Sequence, residues 1–293
     1  MLRVRSFVVF FVAALTLFAA IVLPHRAAFA ADTLLFCNNP ERITAPGTYA
    51  DTMLRAGQTY TVFFHYNNTT RSRGDLVVAL SGSAGIPLRF DARKGFAGAH
   101  RDPTVAGRQA MARYLSAPVK TYTGKKGGAH FDMSVGAKQT ASGVVTFTAK
   151  SDARLRIYWR HNQWTVPGAR VIAVDSPRRE VDILLARGTE GYRYRIGVPD
   201  ADMSKHLDGT YGMLYSFRVD APQGSRVRVS FSPRGGQAGM VGSVNGLMLQ
   251  SNIVPTAKWK VFCEAIVGKD GLILTTAPFG GVFYPVELLF RII

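Results

Sequence analysis

Cysteine, glutamate and recognisable motifs are all sparse in this 293-residue chain, and each shortage removes a class of explanation. Cysteine occurs twice, at Cys37 and Cys263, too rarely for a disulfide-dense scaffold. Glutamate occurs five times, at Glu41, Glu180, Glu190, Glu264 and Glu287, leaving few acids for the paired-carboxylate chemistry of glycoside hydrolysis. Gly82-Ser83-Ala84-Gly85 misses the register of a nucleophile elbow, and neither S-x-x-K nor H-E-x-x-H occurs. The glycine-rich stretches at 124–128 and 233–236 match no phosphate-cradling loop. Downstream of residue 30 the histidines (His65, His100, His130, His161 and His206) are scattered, which gives no local zinc or copper signature. His65 lies in an aromatic strand and reads as a hydrogen-bonded sheet residue. Long helical periodicity is missing throughout.

Only one long apolar run exists. It begins after Arg3 and Arg5, extends to Leu23, and precedes an A-x-A site at Ala28-Phe29-Ala30. That is the layout of a secretory signal peptide over residues 1–30, with a retained anchor as the alternative. The expected compartment is therefore extracytoplasmic: periplasm, cell surface or medium. No later segment reaches the ~18 apolar residues of a membrane helix. In such a compartment Cys37 and Cys263 are expected to pair, closing a loop worth about 4–5 kcal/mol in the chain-entropy model. Two unpaired buried thiols are the alternative.

What the chain has in plenty is aromatic residues, turn formers and positive charge. Eighteen Phe, eleven Tyr, 29 Gly and 14 Pro suit short strands joined by turns. Such strands recur along the whole chain, which predicts an all-β protein of two tandem antiparallel β-sandwich domains of jelly-roll or Ig-like type. The expected domains are 31–165 and 170–293. An inserted loop over about 81–108 is rich in Gly, Ala and basic residues, and a weak helical signal follows at Ala106–Leu115. Asn67 and Asn68 each begin an N-x-T sequon, which marks an exposed loop.

Two stretches resemble each other. Gly47-Thr48-Tyr49 and Gly209-Thr210-Tyr211 are each followed by an aromatic strand, a polar turn and a second alternating strand. Phe131–Gly136 resembles Phe262–Gly268 in the same way, and Val144–Trp159 loosely parallels Leu272–Phe290. The spacing points to one module duplicated, with extra residues in the first copy.

The net charge is +17; residues 1–30 contribute Arg3, Arg5 and Arg26, so the remainder carries +14. That balance favours polyanions. Arginine alternates with apolar residues on three strands: Arg154 and Arg156, Arg193 and Arg195, Arg226 and Arg228. Alternation puts each pair on one face of its strand. The guanidinium fork suits carboxylate, sulfate and phosphate. Arg93, Lys94 and Arg101 in the expected loop, and Trp164 near a domain end, complete the candidate binding residues. Asp200, Asp202 and Asp208 could hold a structural calcium ion, although the EF-hand pattern is broken; no other cofactor is called for. The leading reading is a non-enzymatic binder of anionic envelope polymers or glycans, with no specific nucleic-acid partner. A subunit of a surface assembly is the first alternative. An extracellular hydrolase, with Glu264 or Glu287 facing inward, is the second.

Overall fold

The computed structural model describes residues 32–83, 86–124, 128–160, 164–175, 177–198 and 209–293. The expected signal peptide and the Asp200, Asp202 and Asp208 loop lie outside the described residues.

Four sheets form two sandwiches. In the first, β1 (Thr33–Asn39), β4 (Thr59–Asn68), β9 (Thr140–Ala149), β6 (Leu88–Phe96) and β7 (Lys120–Gly124) lie side by side in that order. The facing sheet runs β3 (Gly47–Leu54), β10 (Ala153–Trp159), β5 (Gly74–Ser81) and β8 (Gly128–Val135). The second sandwich repeats this plan. One sheet runs β12 (Arg178–Leu184), β14 (Leu214–Asp220), β19 (Leu272–Thr276), β16 (Val241–Val244) and β17 (Leu247–Gln250). Its partner runs β13 (Tyr192–Ile196), β20 (Val286–Ile292), β15 (Arg226–Pro233) and β18 (Lys260–Ile266). Matched in chain order, the nine strands of one copy take the same places as the nine of the other. Even the irregular pairing recurs: β1 runs parallel to β4, and β12 parallel to β14. In both copies the chain crosses to the opposite sheet between the two members, which is the crossover a parallel pair requires. The other strand pairs of the nine-strand modules are antiparallel.

Among the described residues, three elements belong to the first copy alone: β2 (Arg42–Ile43) beside β4, α1 (Pro103–Ser116), and β11 (Arg170–Asp175). Three expectations shift accordingly. The stretch 81–108 is not a loop, because β6 fills its centre and pairs with β9 and β7. The insertion is α1 and its connections. Strand β11, assigned from sequence to the second domain, pairs with β1 in the first sandwich. Gly47-Thr48-Tyr49 opens β3, whereas Gly209-Thr210-Tyr211 precedes β14, so these tripeptides are not equivalent although the strands that follow them are. The sequon at Asn68 is not an exposed loop either. Its side chain is fully buried and its amide donates to the carbonyls of Ser72, Val135 and Gly136.

Residues of both sandwiches pack into one compact unit. Strand β4 explains why. Its Val62, Phe64 and Tyr66 point into the first core, while Phe63 faces the second copy's cluster. Along Tyr60–Tyr66 both faces are buried, although Thr61 and His65 interrupt the apolar run on the face towards the second copy. Helix α1 lies on the same outward face. Asp102 caps it by accepting from the Thr104 amide, and Pro103 starts it. Its Met111, Ala112 and Tyr114 enter the second copy's cluster, and the Tyr114 hydroxyl hydrogen-bonds Thr146 of β9 at 2.6 Å.

The cysteines do not pair. Cys37 and Cys263 are free, buried thiols, Cys37 in the first core cluster and Cys263 in the second. A bridge would have to join two separate cores. Burial pushes the Cys37 thiol far up and the Cys263 thiol to about 11. Both stay protonated and unreactive near neutral pH.

Candidate functional site

Two of the three alternating arginine pairs meet on one surface. In the sheet β13-β20-β15-β18, Tyr194, Ile196, Val227, Val229, Phe231, Leu288 and Phe290 point into the core. Their neighbours along each strand must point out. Register then sets Arg193 beside Leu289 and Ser230, and Arg228 between Arg291 and Glu264. Arg195 pairs with Glu287, and Arg226 with Ile266 at the far end. The third pair, Arg154 and Arg156, lies on β10 in the first sandwich and does not join this face. Arg154 makes a two-pronged bond to Asp51 at 2.7 and 2.6 Å, and Arg156 lies over the Tyr158 ring.

The face is strongly but not wholly basic. Arg226 and Arg228 share Glu264 at 3.0 and 2.7 Å. Arg193 and Arg234 share Glu287 at 3.0 and 2.8 Å, and Arg195 approaches it at 4.0 Å. Arg291 donates to the Glu190 carbonyl at 3.2 Å. Six arginines therefore face two glutamates, so four positive charges are uncompensated by these partners. The shared glutamates hold the guanidinium groups in place while neutralising only part of their charge. Burial alone would raise the Glu287 carboxyl, but hydrogen bonds and charge from Arg193 and Arg234 outweigh it and leave the pKa below the usual range. Glu287 is thus an anchored anion rather than a proton donor. Glu264 is likewise held between two arginines, Arg226 and Arg228.

An aromatic ring completes the site. Trp259, just before β18, is partly exposed, with the guanidinium carbons of Arg193 and Arg234 each 5.5 Å from its ring centroid. Arg193, Arg228 and Arg291, with Trp259, Val261, Leu289 and Ser230, line a depression of about 280 Å³. It combines an apolar floor, an aromatic wall and a guanidinium rim. A flat ring with an apolar face and an anionic substituent fits that set: the ring stacks, and the anion meets forked donors. Sequence reading named Arg193 and Arg228 but missed Trp259, Arg234 and Arg291. Only Trp259 carried a local signal, as an aromatic between two lysines, Lys258 and Lys260.

The remaining candidates are dispersed. Arg93 donates to the Ala117 carbonyl at 2.8 Å and lies over the Tyr114 ring, so it fastens the end of α1. Lys94 sits over the Phe131 and Tyr122 rings, 4.4 and 5.4 Å from their centroids. Arg101 is exposed beside the start of α1. Trp164 is exposed and its carbonyl accepts from the Thr48 amide, tying the chain to β3. Among the described residues no group of three or more His, Cys, Asp or Glu side chains could hold a metal ion. No helix among them is long and apolar enough to cross a membrane.

No protein-family model matches the chain, and no curated protein does. Among solved structures it is similar to the N-terminal CBM22-1-CBM22-2 tandem domain from Paenibacillus barcinonensis Xyn10C. The likeness has 11% identity over 78% of this chain and 82% of that one, with a TM-score of 0.20. A superposition that poor equates no residue of one with a residue of the other.

Proposed function

We propose that the protein is a non-enzymatic, extracytoplasmic binder of anionic polysaccharide, and that the sheet β13-β20-β15-β18 supplies the binding face. The observation that carries this reading is the depression beside Trp259, rimmed by Arg193, Arg228 and Arg291, on a face where six arginines meet two glutamates. Uronic or sulfated sugars present what it can hold: a C–H face for Trp259 and an anionic group for Arg228 and Arg291. The leader-like N-terminus and the positive charge remaining without it support contact with an envelope or matrix polymer.

Titration of polygalacturonate into the protein across a salt series tests this. Affinity should fall steeply as salt rises, because the partly exposed charges are screened. Neutral dextran of similar length should not compete at this face. Trp259→Ala should weaken polygalacturonate binding about tenfold, roughly 1.4 kcal/mol, the worth of one stacked ring with its cationic neighbours. Salt-independent binding, or an unchanged Trp259→Ala variant, would remove this face from the account.

A further inference from the structure

A second cavity lies where the two copies meet, and its chemistry is the opposite of the basic face. It has a volume of about 500 Å³ and is bounded by β4, the start of α1 and the loop at Gly280–Phe283. Among the described residues no lysine or arginine lines it, whereas Glu41 and Asp102 do. Phe283 contributes an exposed apolar ring, while Phe63 beneath is buried and stacked against Phe36 and Tyr211. The loop approaches so closely that a Cβ on Gly280 would stand 2.3 Å from His65 Nδ1.

Two side chains in this cavity, the buried His65 and the half-buried Asn67, carry buried polar atoms without partners. His65 is 1% exposed; its backbone amide donates to Asn38 Oδ1 at 3.0 Å, but neither ring nitrogen has a protein partner. This corrects the sequence reading of His65 as a hydrogen-bonded sheet residue. The Oδ1 of Asn67, two residues along on the same face of β4, is also buried and unpartnered. Each such atom costs about 1–3 kcal/mol when left unmade. Burial holds the His65 ring near a pKa of about 4, so near neutral pH it offers one N–H donor and one acceptor.

That inventory narrows the ligand. A donor-only amine would leave the His65 N–H unmet. An anion would face Glu41 and Asp102. An apolar molecule would leave all three atoms unsatisfied. A hydroxyl both donates and accepts, so a ring carrying several hydroxyls satisfies His65 and Asn67 together and lays its C–H face on the exposed Phe283. The volume is within the ~300–1,000 Å³ of ordinary small-ligand sites. We propose that the cleft between the two copies binds a neutral, hydroxyl-rich sugar unit through His65 and Asn67. This site shares no lining residue with the arginine face and does not depend on the reading of that face.

The test uses the full chain and a panel of glucose, galactose, mannose, N-acetylglucosamine and cellobiose, with spermidine and citrate as cationic and anionic comparators. Binding is followed by calorimetry and by the ¹⁵N shifts of the His65 ring. At least one neutral sugar should bind and move those resonances. His65→Phe should weaken it more than tenfold while leaving polygalacturonate binding unchanged. Phe283→Ala, at the exposed rim, should weaken it severalfold without risk to the core, and serves if His65→Phe does not fold. The proposal is overturned if no sugar in the panel binds, if spermidine or citrate alone binds, or if sugar binding survives both substitutions.

Discussion

His65 should make the protein acid-sensitive before its carboxylates titrate. Burial holds its folded pKa at about 4, below the ~6.5 of an unfolded histidine. Between those values the unfolded chain takes up a proton that the folded chain refuses. Stability is therefore complete above ~6.5 and falls as pH drops towards 4, by up to about 3 kcal/mol at 1.36 kcal/mol per unit. Urea melts across that range should show the slope, and His65→Phe should flatten it; an equal slope in both proteins would contradict the burial argument. Glu287 acts at lower pH in the same direction, since its depressed pKa means the stability it contributes is lost as pH falls through the carboxylate range. Glu287→Ala leaves Arg193 and Arg234 without their shared anion and should cost about 2 kcal/mol in chemical denaturation. Arg193, Arg195, Arg226 and Arg228 were legible in the sequence because alternation with Tyr, Ile and Val fixes their face whatever the fold. The unpartnered ring of His65 was not, because β4 reads the same whether its second face meets solvent or another module.

At the scale of elements, the joint between the copies rests on close backbone approach. Gly107 of α1 packs on Gly280, where an added Cβ would stand 1.9 Å from the Gly280 carbonyl oxygen. Neither backbone can yield without moving an element. Gly107→Ala should therefore destabilise by at least the 1–3 kcal/mol typical of overpacking, about that much in a urea melt, despite alanine's better helix propensity. A gain in stability would mean that the helix does not seat on this loop. Helix α1 gave only a faint sequence signal for a related reason. Its buried positions include Thr104, Ala106, Gly107 and Ala110, small residues that permit contact but carry little apolar periodicity. The insertion was consequently assigned to 81–108, where glycine and basic residues are frequent, although Leu88–Phe96 alternates well enough to pair on both edges as β6.

For the whole molecule, the duplication is clearer in strand order than in sequence. Paired segments such as Phe131–Gly136 and Phe262–Gly268 do occupy equivalent strands, β8 and β18, but few side chains repeat. Topology constrains hydrophobic alternation, not identity, so two copies can diverge while keeping all nine positions. The expected Cys37–Cys263 bridge failed because compartment and cysteine count say nothing about which core each residue enters. Reductant should leave the melting temperature unchanged, and both thiols should alkylate only on unfolding; protection of one pair from alkylation in denaturant would restore the bridge. The excess charge has a sharper test, because total charge and a defined site make different predictions. Arg226→Ser with Arg228→Ser removes two charges from the proposed face, and Arg154→Ser with Arg156→Ser removes two from the other sandwich. Polygalacturonate affinity of the two double variants, measured side by side at one salt concentration, is the most direct measurement. A loss of roughly tenfold or more in the first, with the second near wild type, is the result expected of a site. Equal losses would mean that the chain binds polyanions by its overall charge and that the Trp259 face has no special part in it.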